Sequence, residues 1–336
     1  MSLSPMKRTL FKLLLLFMVL GVVELVSYFV FTSSLLDGYH SGKYLASTYA
    51  GAPIDDIPII IEHPYALYLN RPSVVKEGDT IYNSLGYRNE EFPIEKPENE
   101  VRVLCLGGST TNGFPYVWDR KQTWCYLLQE KLSNQWPGKQ VRVINAGLHY
   151  ASSAELLSGY LYRHHLLKPD YVVINTGGND IPPLMYPGYQ PDYTHFRQPG
   201  SGRLPRPMEA TLTQSYFVKC LYTVWLDKQP FVAQTDPYPI GELDNDVALQ
   251  NVTQNEPIGF EYNLKYLVNA IKADSAQVYI VSFVQAREEN LSKNQPLLAG
   301  KERAQTLGLE KNVAVMKNVS AALQVPFLEL TNQQFA

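Results

Sequence analysis

The sequence predicts an α/β domain whose parallel central sheet is covered by helices on both faces, preceded by one N-terminal transmembrane helix. Three observations lead there. Residues 13–31 are almost continuously apolar, long enough for a helix to cross a bilayer core. From Val101 onward short apolar runs alternate with stretches of helical periodicity, as in strands joined by crossover helices. Three of those runs break into glycine or amide residues, at the strand ends where parallel sheets hold ligands.

Residues 1–12 form a basic tail carrying Lys7, Arg8 and Lys12, followed by the span at residues 13–32. By the positive-inside rule the tail stays in the cytoplasm and everything after about residue 33 is exported. No small-x-small cleavage site follows, which favours an uncleaved signal anchor over a cleaved signal peptide. Glu24 sits inside the span, where a charge costs about 2.5 to 3.5 kcal/mol on insertion scales. Either a membrane partner pairs with it or the carboxyl is neutralised.

Residues 33–100 read as a connecting segment of turns, prolines and short apolar runs such as Ile57 to Ile61, with a compact turn at Asn83–Arg88. The domain proper covers residues 101–336. Its first strand ends at Gly107-Gly108-Ser109, and a helix spaced by Trp124, Leu127, Leu128 and Leu132 precedes a strand at Val141–Ile144. Ser152 and Glu155 form a capping box for a helix that includes Leu156, Tyr160 and His164. The strand Tyr171–Asn175 then runs into Gly177-Gly178-Asn179-Asp180.

Between about 181 and 258 repeated prolines weaken the periodicity around a helix near Thr213–Leu226, as in an insertion or lid. Tyr186, Tyr189, Tyr193 and Phe196 are placed there to line a groove. The core resumes with a helix near Phe260–Lys272, a strand at Gln277–Phe283, a helix near Glu302–Leu323 and a strand at Pro326–Leu330.

Composition narrows the function. Lys plus Arg (29) against Asp plus Glu (32) gives a net charge of −3, and no basic cluster is interleaved with aromatics, which argues against nucleic acid as a partner. Cys105, Cys125 and Cys220 have no metal spacing and read as core residues. No His/Cys/Asp cluster has ligand spacing, so neither a metal nor another cofactor is implied.

Acyl transfer at a serine needs a nucleophile and hydrogen-bond donors aimed at the developing oxyanion. Ser109, Gly147 and Asn179 stand at three converging strand ends and supply both. The turn lacks the lysine of a phosphate-cradling loop and the Gly-x-Ser-x-Gly form of an α/β-hydrolase elbow.

These three blocks, Gly107-Gly108-Ser109-Thr110-Thr111, Asn145-Ala146-Gly147 and Gly177-Gly178-Asn179-Asp180, resemble those of the SGNH/GDSL hydrolase superfamily. Asn83–Arg88 resembles a segment that precedes the first block in its membrane-anchored bacterial members. The resemblance implies a flavodoxin-like three-layer sandwich in which Ser109 is the nucleophile. Its own N–H, the Gly147 N–H and the Asn179 side chain would form the oxyanion hole. It also implies an inner-membrane esterase or acyltransferase with its domain on the periplasmic side, acting on O-acyl or O-acetyl esters of envelope glycans.

Such proteins carry Asp-x-x-His after the last strand, and here only residues 331–336 follow it. A serine without a base is a weak nucleophile. Three expectations stand: the sequence is an incomplete copy, the fold serves as a non-catalytic envelope binding module, or the base lies elsewhere. Asp192 with His195 has the right spacing, as does Asp37 with His40. His149 lies at the strand end beside Gly147, whereas His164, His165 and His63 read as structural.

Overall fold

The computed structural model describes residues 5–36, 39, 59–63, 65–76, 79–196, 214–227, 240, 243–294 and 298–330. They divide into two compact units: residues 1–58 with 199–234, and residues 59–198 with 235–336. The second unit contains the sheet.

Alternating apolar runs bounded by turn residues become the strands β1 (Glu100–Gly107), β2 (Gln140–Gly147), β3 (Tyr171–Thr176), β4 (Gln277–Ser282) and β5 (Phe327–Leu328). All pair in parallel, in the order β2-β1-β3-β4-β5. That is the flavodoxin-like order, in which the chain leaves β1 for opposite sides and opens a crevice at the β1/β3 switch point. The register places Gly107 level with both Gly147 and Asn175. Three strand ends thus meet in one row.

Alternation along β1 sends Val103 and Cys105 to one face and Leu104 and Leu106 to the other. The first face packs on α3 (Trp124–Gln135) through Cys125, Leu128 and Leu132. The second is covered by α4 (Ser153–Tyr162), α8 (Ile258–Ala273) and α9 (Glu302–Leu323), which contribute Leu156, Phe260, Leu264 and Met316. Cys105 and Cys125 are buried free thiols.

The expected helix through His164 stops at Tyr162, and His164 lies in a following 3-10 turn. Of Pro326–Leu330, only Phe327 and Leu328 pair. Within the stretch where periodicity was expected to weaken, α7 (Asn245–Gln254) forms, capped by Asp244 accepting from the Val247 N–H at 3.0 Å.

Asn83, Gly86, Tyr87 and Arg88 are buried, while Ser84 is exposed. Asn83 Oδ1 accepts the N–H groups of Leu85 (3.1 Å) and Tyr87 (2.9 Å), which closes the turn. The Arg88 N–H donates to Asn145 O at 3.2 Å, and Asn89 Oδ1 accepts the Asn145 N–H at 2.8 Å. The segment thereby occupies the outer edge of β2, where an unpaired strand would expose its backbone groups.

In the first unit α1 (Pro5–Thr32) includes a segment, Met6–Thr32, long and apolar enough to cross a membrane. It packs with α6 (Tyr216–Asp227), the helix expected near Thr213–Leu226; Thr213 itself lies outside the described residues. Glu24 finds its partners on this helix of its own chain. Its carboxylate accepts from the Ser215 hydroxyl (2.8 Å) and the N–H groups of Tyr216 and Phe217.

Candidate active site

β1 ends at Gly107 because a side chain there would collide: a Cβ would lie 2.1 Å from Thr111 Oγ1 and 2.6 Å from Asn175 O. Extended Gly108 then leads into α2 (Ser109–Asn112), with half-buried Ser109 as its first residue. Gly113, at φ +86°, ends the helix and donates to Ser109 O at 2.7 Å.

The helix is fastened on one side to β2. Asn112 Nδ2 donates to Gly147 O at 2.8 Å and Asn145 Nδ2 to Thr111 O at 2.8 Å. Arg88, only 2% exposed, donates to the carbonyls of Asn112 (3.0 Å), Trp118 (2.9 Å) and Val117. A guanidinium suits such a cluster because its planar fork can serve several acceptors at once. Towards β3, Thr110 Oγ1 bonds Asn175 Oδ1 at 3.3 Å, while Asn175 Nδ2 donates to Ser282 O at 3.0 Å.

The third block brings Asn179 to the turn that carries Ser109. A Cβ on Gly108 would stand 2.6 Å from Asn179 Nδ2, so the amide lies directly against the residue preceding Ser109. Asn179 Nδ2 donates to Ala151 O at 2.9 Å. Asp180 is buried beneath it, accepting from Ser153 N (3.0 Å), Ser153 Oγ (2.6 Å) and Tyr193 OH (2.9 Å). Burial raises its carboxyl pKa to about 6 despite these donors.

Gly147 is held differently from the other two residues. Its N–H donates to Asn145 Oδ1 at 3.0 Å, and its carbonyl accepts from Asn112 and Asn70. A Cβ at Gly147 would meet Asn112 N at 2.2 Å, so this glycine is where α2 backs onto β2. Its amide is paired within the fold. The following loop contains Tyr150, 69% exposed and at φ +58°, a conformation few tyrosines adopt and that nothing in the sequence signalled.

The histidines separate clearly. His195 Nε2 faces Pro183 O at 2.8 Å and its Nδ1 accepts the Gln190 N–H at 3.1 Å. Asp192 Oδ1 instead accepts from Thr194 N and Oγ1. The Asp192/His195 pair therefore closes a turn. His149 is buried with Nε2 3.1 Å from Tyr82 OH; desolvation, then the charge of Arg88, lowers its pKa to about 4. His164 pairs with Tyr87 OH at 2.8 Å, and His63 Nδ1 accepts the N–H groups of Tyr65 and Ala66. Asp37 and His40, like residues 331–336, lie outside the described residues. Among the described residues, no imidazole or carboxylate is hydrogen-bonded to the Ser109 hydroxyl, and no group of three His, Cys, Asp or Glu is placed to hold a metal.

Next to the third block, the Phe283 ring lies against Gly178. Beyond it opens a cavity of about 280 Å³ whose lining includes Phe283, Gln285, Arg287, Thr306 and Leu330. The expected tyrosine groove is filled. Tyr186, Tyr193 and Phe196 are buried, with Tyr186 against Phe196 at 5.2 Å between ring centres, and half-buried Tyr189 accepts the Gly259 N–H through its hydroxyl.

A profile of the GDSL-like lipase/acylhydrolase family matches residues 105–336. No curated protein sequence matches the chain. Among solved structures, that of TesA is 18% identical, covering 67% of this chain and 76% of its own with a TM-score of 0.36. A catalytic mutant of Axe2, an acetylxylan esterase from Geobacillus stearothermophilus, is 14% identical over 68% of this chain and 74% of its own, with a TM-score of 0.36. AlinE4, an SGNH-hydrolase family esterase, is 13% identical over 69% and 77%, with a TM-score of 0.33.

Proposed function

Because the chain belongs to the GDSL-like lipase/acylhydrolase family, we propose that it is a serine ester hydrolase, tethered to the membrane by α1, with Ser109 as its nucleophile. The single observation that carries this reading is the Asn179 amide set against Gly108, at the start of the helix that Ser109 opens. Ser109 Oγ attacks the ester carbonyl, the alcohol departs, and water or another hydroxyl resolves the acyl-enzyme. Asn179 Nδ2 and the Ser109 N–H stabilise the oxyanion, with the 147–151 loop beside them.

The proton leaving Ser109 requires a general base. His149, with a pKa near 4 and its Nε2 engaged by Tyr82, is poorly suited. The Asp-x-x-His that the family resemblance implies after the last strand is not found in residues 331–336. The substrate class that fits is an O-acyl ester, O-acetyl included, of an envelope glycan. Gln285, Arg287 and Thr306 support that choice by lining the neighbouring cavity with groups that bond hydroxyls.

A second reading, a non-catalytic envelope binding module of the same fold, is favoured by the lack of a base bonded to Ser109 among the described residues. The full chain in detergent, given an aryl acetate, separates the two. Hydrolysis abolished by Ser109→Ala and strongly reduced by Asn179→Ala supports the esterase; equal rates in wild type and Ser109→Ala reject Ser109 as nucleophile.

A further inference from the structure

We propose that α6 re-enters the membrane beside α1 and is held there by Glu24, so that the acyl chains of the bilayer cover its exposed face. This rests on the reading of α1 as a membrane span. At 12 residues, α6 is about 18 Å long and stops short of crossing a hydrocarbon core of about 30 Å.

The helix start carries the argument. A helix leaves its first N–H groups without partners; water satisfies them at a surface, whereas hydrocarbon cannot. Here all are satisfied by protein. Tyr216 N and Phe217 N donate to Glu24, Val218 N donates to Ser215 Oγ at 3.3 Å, and Lys219 N to Ser215 O at 2.9 Å. Glu24 in turn lies eight residues before the end of α1, about 12 Å along the helix from it. The start of α6 therefore sits beside the apolar part of the span.

The faces of α6 agree. Phe217, Leu221 and Trp225, spaced by four, are exposed, forming one apolar stripe. The only charged side chain between Tyr216 and Trp225 is Lys219, which is buried with its ammonium 4.2 Å from the Tyr216 ring centre and 5.5 Å from that of Phe31. Cys220 Sγ donates to Ser27 O at 3.4 Å, and Tyr216, Cys220, Tyr222 and Val224 pack with Phe31 and Leu36. The polar groups Ser215 and Lys219 face α1 while the exposed stripe is apolar, the reverse of a helix designed for water.

The test uses the full chain in vesicles of phosphatidylethanolamine and phosphatidylglycerol. Single nitroxide labels are placed through Leu221→Cys, Leu16→Cys and Tyr262→Cys in a Cys220→Ser background. Collision with oxygen, concentrated in lipid, is compared with collision with a water-soluble nickel chelate. The proposal expects the label at 221 to match that at 16, oxygen-accessible and nickel-shielded, while the label at 262 meets nickel. A lipid-facing 16 with a nickel-accessible 221 overturns re-entry and leaves the anchor standing. Nickel access at both positions overturns the anchor itself. Shielding of 221 from both reagents means protein covers the stripe and also overturns the proposal. In Glu24→Ala, position 221 should lose its nickel shielding while 16 keeps it; unchanged shielding at 221 refutes the role of Glu24.

Discussion

Arg88 Nη1 donates to Asn112 O at 3.0 Å, linking a turn 21 residues upstream of Ser109 to the end of the helix that Ser109 begins. The guanidinium is buried, and its other acceptors, the carbonyls of Val117 and Trp118, lie in the segment that follows the helix. It holds the end of the helix that Ser109 opens. Arg88→Met leaves those carbonyls unpaired and should destabilise the fold by about 3 kcal/mol. Aryl-ester kcat should fall with KM nearly unchanged, and Arg88→Lys should rescue only part of it, which denaturant titration and steady-state kinetics check.

Gly107 has no room for a methyl group, since the nearest obstacles are Thr111 Oγ1 at 2.1 Å and the Asn175 carbonyl at 2.6 Å. Gly107→Ala should separate β1 from β3 at the site and lower stability by about 2 kcal/mol. A thermal melt that matches the wild type would contradict this packing.

Asp180 sets a pH dependence. Its folded pKa, raised from 3.8 to about 6 by burial, means that the native state holds this proton more tightly than the unfolded state. The associated stability is fully present below about pH 4 and is lost as pH rises through about 6. Relative to Asp180→Asn, the wild type should lose on the order of 2 kcal/mol between about pH 4 and pH 7.5. Urea midpoints at the two pH values measure it; a pH-independent difference would argue against a raised pKa.

Tyr150 holds φ +58° at the edge of the site. Tyr150→Gly should relieve about 1 kcal/mol of backbone strain while removing an exposed aromatic beside the crevice. A higher melting temperature together with a raised KM and a retained kcat is expected; an unchanged KM would remove Tyr150 from substrate contact.

The sheet was legible because buried parallel strands write continuous apolar runs, and the placement of Ser109 and Asn179 just past strand ends because glycines break those runs there. Gly147 stood out for the same reason, yet Asn145, two residues earlier, takes its amide, a side-chain choice that the strand pattern does not encode. Arg88 read only as the end of a compact turn because its acceptors lie 24 to 30 residues further along the chain. Asp192 and His195 had the spacing of a catalytic pair, but spacing does not reveal that Thr194 and Pro183 occupy their polar atoms. Glu24 appeared unpartnered because Ser215 is 191 residues away.

If Ser109 is the nucleophile beside the Asn179 amide, a fluorophosphonate added to the full chain should leave one modified peptide by mass spectrometry, with the adduct on Ser109 and formed much more slowly in Asn179→Ala. Modification of another residue with Ser109 untouched would rule that assignment out.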